Sequence, residues 1–328
     1  YNVGVGSRAM KSVTTGNYNI AVGFDAASAL TTGNNNTFVG RQAGYASTTA
    51  RYQVAIGSQA LYSNTAGDLS VAIGRQALYN LDQTTNTHVA AVGNAAGYNM
   101  TSGKYNSLLG SAAGYFNQTG DYNTAMGYAA GYGITGKSTD NITAIGARAL
   151  QNIVGDESTA VGFQAGYYAT GSYNTFVGSQ AGEGGTTSAP FSSGEKNVAI
   201  GYQALQNFTT VDGNVAIGYQ AGHDITSGGL NVLIGHEAGD KITTAHSNVG
   251  IGYGVLGALQ GGSTPAGDYI AIGIAAGANL SGAQYGRCIA IGSYALNYGF
   301  AAQYSVAIGY QALHYATGSD NIGIGQWA

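Results

Sequence analysis

The segment Asn197-Val198-Ala199-Ile200-Gly201-Tyr202-Gln203-Ala204-Leu205 returns almost unchanged as Asn214 to Ala221 and again as Ser305 to Leu313. With the glycine of each copy taken as position zero, the chain holds nineteen copies. Their glycines are 6, 23, 40, 57, 74, 93, 110, 127, 146, 162, 178, 201, 218, 235, 252, 273, 292, 309 and 325. The commonest interval is 17 residues, and the extremes are 16 and 23. A period of this size, sustained from end to end, restricts the chain to a stacked repeat architecture. It predicts one continuous solenoid domain over residues 1–328, cut from a longer chain, since Tyr1 falls inside a repeat.

Position −1 is Val, Ile, Leu or Met in every copy, and −3 is mostly Val, Ile or Thr. β-Branched residues two apart share one face of a strand. Position −2 is Ala or Gly in fifteen copies and Phe38, Leu108, Phe176 or Leu233 in the others. The glycines and the −3, −1, +3 spacing argue against an amphipathic helix. The pattern predicts an all-β, parallel β-solenoid of about nineteen turns, with two short strands per turn. In this reading −3 and −1 fill the coil and −2 points out. A stripe of outward alanines so long is too much apolar surface for a monomer, so Ala21, Ala55, Ala72, Ala199, Ala216, Ala271 and Ala307 are expected at the contacts of a homotrimer.

Other columns follow from the period. Position +3 is Ala in eighteen copies, a place of close backbone approach. Position −4 is Asn in eleven, suited to a corner ladder. From Gly40 to Gly127 the residue at +5 is always tyrosine: Tyr45, Tyr62, Tyr79, Tyr98, Tyr115 and Tyr132. Turns stacked at ~4.8 Å would place these rings in one ladder, either stiffening the coil or stacking on glycans. Gln42, Gln59 and Gln76 predict an amide ladder. Two long insertions, Gly184–Lys196 and Ala258–Asp268, read as projecting loops able to carry contacts, with Phe191, Glu195, Lys196 and Thr264 as the candidates.

Charged residues make up only 8% of the chain and the net charge is −4, which excludes the dense basic surface that nucleic acid needs. No apolar run approaches the ~18 residues of a membrane span. One cysteine, Cys288, leaves no intramolecular disulfide framework. Of the five histidines, His223 and Asp240 share position +5 in adjacent turns and are placed to touch, and His236 lies beside Glu237. That is a pair where a metal wants three convergent ligands. No His-Glu-x-x-His, nucleophile elbow or clustered carboxylate pair occurs. The reading is therefore a chain that is not an enzyme and uses no cofactor.

The unit Asn-Val-Ala-Ile-Gly with a following Ala resembles the repeat of trimeric autotransporter adhesin heads. The longer form, with Gly-x-Gln-Ala-Leu/Gly-Tyr and Asn-Thr-Phe-Val-Gly (Asn36 to Gly40, Asn174 to Gly178), is similar to repeats in tail fibres of marine phages, cyanophages above all. The resemblance implies a left-handed β-roll assembled as a trimer. It implies a fibre shaft on the virion surface that supports host attachment, or alternatively a bacterial cell-surface adhesin or extracellular filament. The partners would be two further copies of the chain, other virion or filament proteins, and a host cell-surface glycan or protein.

Overall fold

In a computed structural model, residues 1–83, 87–186, 191–259, 267–280, 287–298 and 302–328 are described. The chain forms two compact units, Tyr1–Ser158 and Thr159–Ala328. Each is a parallel β-solenoid. The first carries nine three-residue strands, from Val3–Val5 to Thr143–Ile145, and the second ten, from Thr159–Val161 to Ile322–Ile324. All nineteen strands fall on positions −3 to −1 of the repeat, and no helix occurs among the described residues. Strands pair in register with the next turn, as Val54, Ala55 and Ile56 do with Val71, Ala72 and Ile73. Equal register is what a repeat of near-constant length imposes.

The inside and the outside of the strand are the reverse of the expectation. The middle residue points into the coil: Ala21, Ala55, Ala72, Ala199, Ala216 and Ala307 are 0% exposed within a single chain and Ala271 is 1%. These alanines are core and cannot be an inter-chain contact. The flanking Val and Ile at −3 and −1 face outward and are half-exposed or exposed. Parity supplies the reason. The asparagine at −4 must face inward, because its side chain satisfies the backbone of the corner. The Nδ2 of Asn36 donates to the carbonyl of Ala50 at 2.8 Å, and that of Asn231 to Ala245 at 3.0 Å. Side chains alternate along a strand, so −2 must follow −4 inward, and −3 and −1 are left outside.

The buried asparagines also bind turn to turn. The backbone NH and Nδ2 of Asn214 both donate to Oδ1 of Asn197, and the same pattern repeats from Asn231 to Asn214 and from Asn248 to Asn231. Buried amides are costly when unpaired, and here each is used as both donor and acceptor.

Space in the coil is shared between positions −2 and +4. Where −2 is Ala, +4 is often Leu: Ala55 with Leu61, Ala72 with Leu78, Ala199 with Leu205, all 0% exposed. Where −2 is large, +4 is Gly. A Cβ on Gly44 or Gly182 would collide with the ring of Phe38 or Phe176. The exchange conserves volume in a closely packed interior.

Between the strands the chain does not form the expected second strand. It turns continuously, because +2 and +4 adopt the left-handed conformation, with φ of 60° at Gln59 and 52° at Leu61. Its backbone still bonds to the next turn, Leu61 NH donating to Ala77 O at 2.9 Å. The glycine at zero has φ between 126° and 143°, and a Cβ on Gly57 would meet the backbone of Gly74. Both the dihedral and the close approach of stacked turns exclude any other residue there.

Candidate functional site

The outer surface at position +5 differs between the two units, whereas +8 carries threonines in both, Thr14, Thr31 and Thr48 as well as Thr209, Thr226 and Thr243. In the first, Tyr45, Tyr62, Tyr79, Tyr98, Tyr115 and Tyr132 stack as expected. Successive ring centroids lie 4.9 to 5.2 Å apart, with planes within 12° of parallel. Each inner ring has both faces covered by its neighbours and presents only its edge, so the ladder offers no open platform on which a sugar could stack along its length. Burial, then the neighbouring phenols, push the hydroxyls of Tyr79 and Tyr132 above their ordinary range. Beside this column Gln59 Nε2 donates to Gln42 and Gln76 Nε2 to Gln59, at 3.3 and 3.2 Å.

In the second unit +5 carries Glu183, Gln206, His223 and Asp240, with Asn207, Asp224 and Lys241 at +6. Gln206 Nε2 donates to Glu183 Oε2 at 2.5 Å, and Gln180 Nε2 donates to the same oxygen at 3.2 Å. His223 lies between Gln206 Oε1, 2.8 Å from Nε2, and Asp224 Oδ1, 2.6 Å from Nδ1. Its carboxylate partner is thus Asp224 of its own turn rather than Asp240. Lys241 bridges the two acids, 3.2 Å from Asp224 and 3.3 Å from Asp240.

The protons respond to this arrangement. Burial pushes the Asp224 carboxyl up, but the hydrogen bonds and charges of His223 and Lys241 outweigh it and hold the group below its ordinary value. Asp240 is raised, burial prevailing over the attraction of Lys241, with Glu237 and Asp224 adding repulsion. Lys241 is raised, since Asp224 and then Asp240 outweigh its own burial.

Alongside runs an open groove of about 390 Å³ lined by Gly185, Asn207, Thr209, Asp224, Thr226 and Thr243. Local sequence explains it. Positions +6 and +8 share the outward face, while Phe208, Ile225 and Ile242 at +7 point inward and are 0% exposed. Asn207 and Asp224 form one wall, and three threonines one turn apart form the other. Thr209 Oγ1 donates to Thr226 O at 2.8 Å and Thr226 Oγ1 to Thr243 O at 3.2 Å.

Of the expected loop residues, Phe191 stacks on Tyr168 at 5.9 Å between centroids. Ser192 bonds to the preceding turn, its carbonyl accepting from Thr170 NH and its NH donating to Tyr168 O, and Ser193 NH donates to Thr209 O of the next turn. Glu195 NH donates to Asp212 at 2.7 Å and Lys196 NH to Ser172 at 3.2 Å. Residues 191–196 therefore belong to the stack and do not project. Thr264 lies outside the described residues. His236 is sandwiched between Tyr219 and Tyr253, at 4.7 and 5.2 Å, and sits 3.8 Å from Glu237. Among the described residues no three His, Cys, Asp or Glu side chains converge as a metal site would require, and no helix is long and apolar enough to cross a membrane.

The groove and its polar column were not singled out in the sequence. The signal was present: the +5 column changes from tyrosine to Glu, Gln, His and Asp, while +8 keeps threonine at Thr209, Thr226 and Thr243. No family profile, curated protein or solved structure matches this chain.

Proposed function

We propose that the chain is the shaft of a homotrimeric extracellular fibre, a tail fibre on a virion surface that supports attachment to a host. The observation that carries this reading is the outward face of the strands. In the second unit Ile200, Ile251, Ile272 and Ile308, all at −1, are each 37% exposed, and in the first unit Ile56 and Ile145 at the same position are 39 and 37% exposed. The aliphatic residue at −1 of every turn makes an apolar stripe of the kind that soluble monomers rarely leave open. Three such faces packed about an axis would bury it, and the equal register of the turns lets every turn make the same contact. The trimer contact proposed here is thus formed by −1 and −3, in place of the alanines. The assignment to a virion rests on the resemblance of the Asn-Val-Ala-Ile-Gly and Asn-Thr-Phe-Val-Gly units to marine phage tail-fibre repeats.

Sedimentation equilibrium tests the assembly. The native chain is expected at three times its 33.1 kDa mass. Ile200→Arg with Ile217→Arg is expected to run as a folded monomer, because the charges sit on the outer face. A native monomer would overturn the trimer. Immunogold labelling of purified particles tests the location, and label confined to cell envelopes would move the fibre from virion to bacterium.

A further inference from the structure

We infer that the groove of the second unit binds a neutral or amino-bearing oligosaccharide. The argument begins with protons. The hydroxyl protons of Thr209 and Thr226 are spent on the backbone carbonyls of the next turn. Each threonine therefore offers the groove lone pairs and no donor. Asp224 is an acceptor by charge: its Oδ1 is met by Asn207 Nδ2 at 3.3 Å and His223 Nδ1 at 2.6 Å, and its Oδ2 by Lys241 Nζ at 3.2 Å, and each carboxylate oxygen keeps further lone-pair capacity. The walls thus present a row of acceptors, renewed once per turn from Asn207/Thr209 to Asp224/Thr226. A ligand that satisfies them must bring donors at regular intervals. A chain of sugar hydroxyls does so.

Charge narrows the choice. Glu183, Asp224 and Asp240 stand against Lys241, with His223 between Gln206 and Asp224. Three acids outnumber the one lysine that bridges two of them, so a carboxylate or sulfate on the sugar would meet a net negative surround, while an amine would be attracted to it. The groove, at about 390 Å³, lies in the range of small-molecule sites (~300–1,000 Å³). In the first unit the +8 threonines Thr14, Thr31 and Thr48 make the same bonds, but the column beside them from Tyr45 to Tyr132 is tyrosine and brings no such acids. Binding here deepens the fibre reading and rests on it for the source of the sugar: the shaft itself would touch a host glycan.

The test is saturation-transfer NMR on the purified full chain with chitotriose, maltotriose, a glucosamine trimer and trigalacturonate. The first three are expected to bind, the glucosamine trimer most tightly, and trigalacturonate at least roughly tenfold more weakly. Asn207→Leu with Thr226→Val should weaken chitotriose binding by roughly tenfold or more in a chain that still melts cooperatively. Should that pair fail to fold, Asp224→Asn provides the reading, since it keeps the shape and should remove only the preference for the amino sugar. No signal from any of the three sugars, equal binding of trigalacturonate, or a preference unmoved by Asp224→Asn overturns the inference. The fibre reading fails separately: sugar binding by a native monomer would leave the groove standing and the trimer refuted. A native trimer that ignores all three sugars would do the opposite.

Discussion

The turns carrying Tyr45 to Tyr132 and those carrying Glu183 to Asp240 share one interior and differ in one outer column. Inside, both have the asparagine ladder and the exchange of Phe for Gly, Phe38 with Gly44 in one and Phe176 with Gly182 in the other. Outside, the same position is an apolar stack in the first and a hydrogen-bonded string of Glu, Gln, His and Asp in the second. The fold is thus specified by what points inward, and an outer column can be rewritten without changing the coil. That freedom is what permits a groove in one unit and a sealed ladder in the other.

The largest expected effect checks that the interiors are equivalent. Ala55→Arg and Ala216→Arg each force an unpaired charge into a coil where the native side chain is 0% exposed. Each should cost more than ~4 kcal/mol, and by similar amounts, as loss of the soluble folded protein. A well-folded Ala216→Arg protein would return the alanines to the outside. The second effect concerns volume. Phe38→Ala should lose ~3–5 kcal/mol, and adding Gly44→Leu should restore most of it, because Leu61 already occupies the same position with φ of 52°. The pair Phe176 and Gly182 should behave alike; rescue in one unit alone, seen in urea melts, would break the comparison.

Much of this was legible in the sequence. The period placed nineteen strands at −3 to −1, the invariant glycine at zero was read correctly as a bend, and the run of tyrosines at +5 from Tyr45 to Tyr132 as a ring ladder. The direction of the strand was not. Val and Ile look like core and Ala like surface contact, and a three-residue strand gives too little alternation to overrule that impression. Asn at −4 held the answer, because a ladder that satisfies the corner backbone must be internal. Left-handed residues such as Tyr18, Tyr52 and Tyr122, with φ near 58°, carry no sequence signal, since tyrosine ordinarily avoids that region. The groove required three columns to be read together across turns.

The outer columns give smaller effects. Tyr79→Ala removes two stacking contacts, at 4.9 and 5.1 Å, and should cost ~1–3 kcal/mol at any salt concentration. Lys241 is half-exposed, so Lys241→Ala should cost under ~1 kcal/mol and less still at high salt. A salt-dependent Tyr79 effect, or a Lys241 effect that ignores salt, would mean that the two columns are held by other forces than those described.

The smallest difference is in pH. Tyr79 and Tyr132 are raised above the ordinary 10.0. The neutral phenol is therefore favoured by folding, and the stability it brings is complete below pH 10.0 and is lost as pH rises through the higher folded value. Asp224 is held below the ordinary 3.8. Its contribution is present above that pH and is lost as pH falls from it toward the lower folded value. Asp240, raised by burial, works against Asp224, because its ionisation at neutral pH is a cost that acid relieves. Lys241, raised above 10.5, adds an alkaline limb to the polar column as well. The aromatic column is therefore sensitive to alkali alone, and the polar column to both extremes with a partly cancelled acid limb. Melting temperatures followed across the pH range should separate them by difference. Tyr79→Phe should soften the loss above pH 10.0 and leave the acid side untouched. Asp224→Asn should flatten the acid side below pH 3.8. If Asp224→Asn leaves the acid limb as steep as in the native chain, the ion pairs drawn around Lys241 contribute nothing to folding, and the polar column is held by its Gln206 and His223 hydrogen bonds alone.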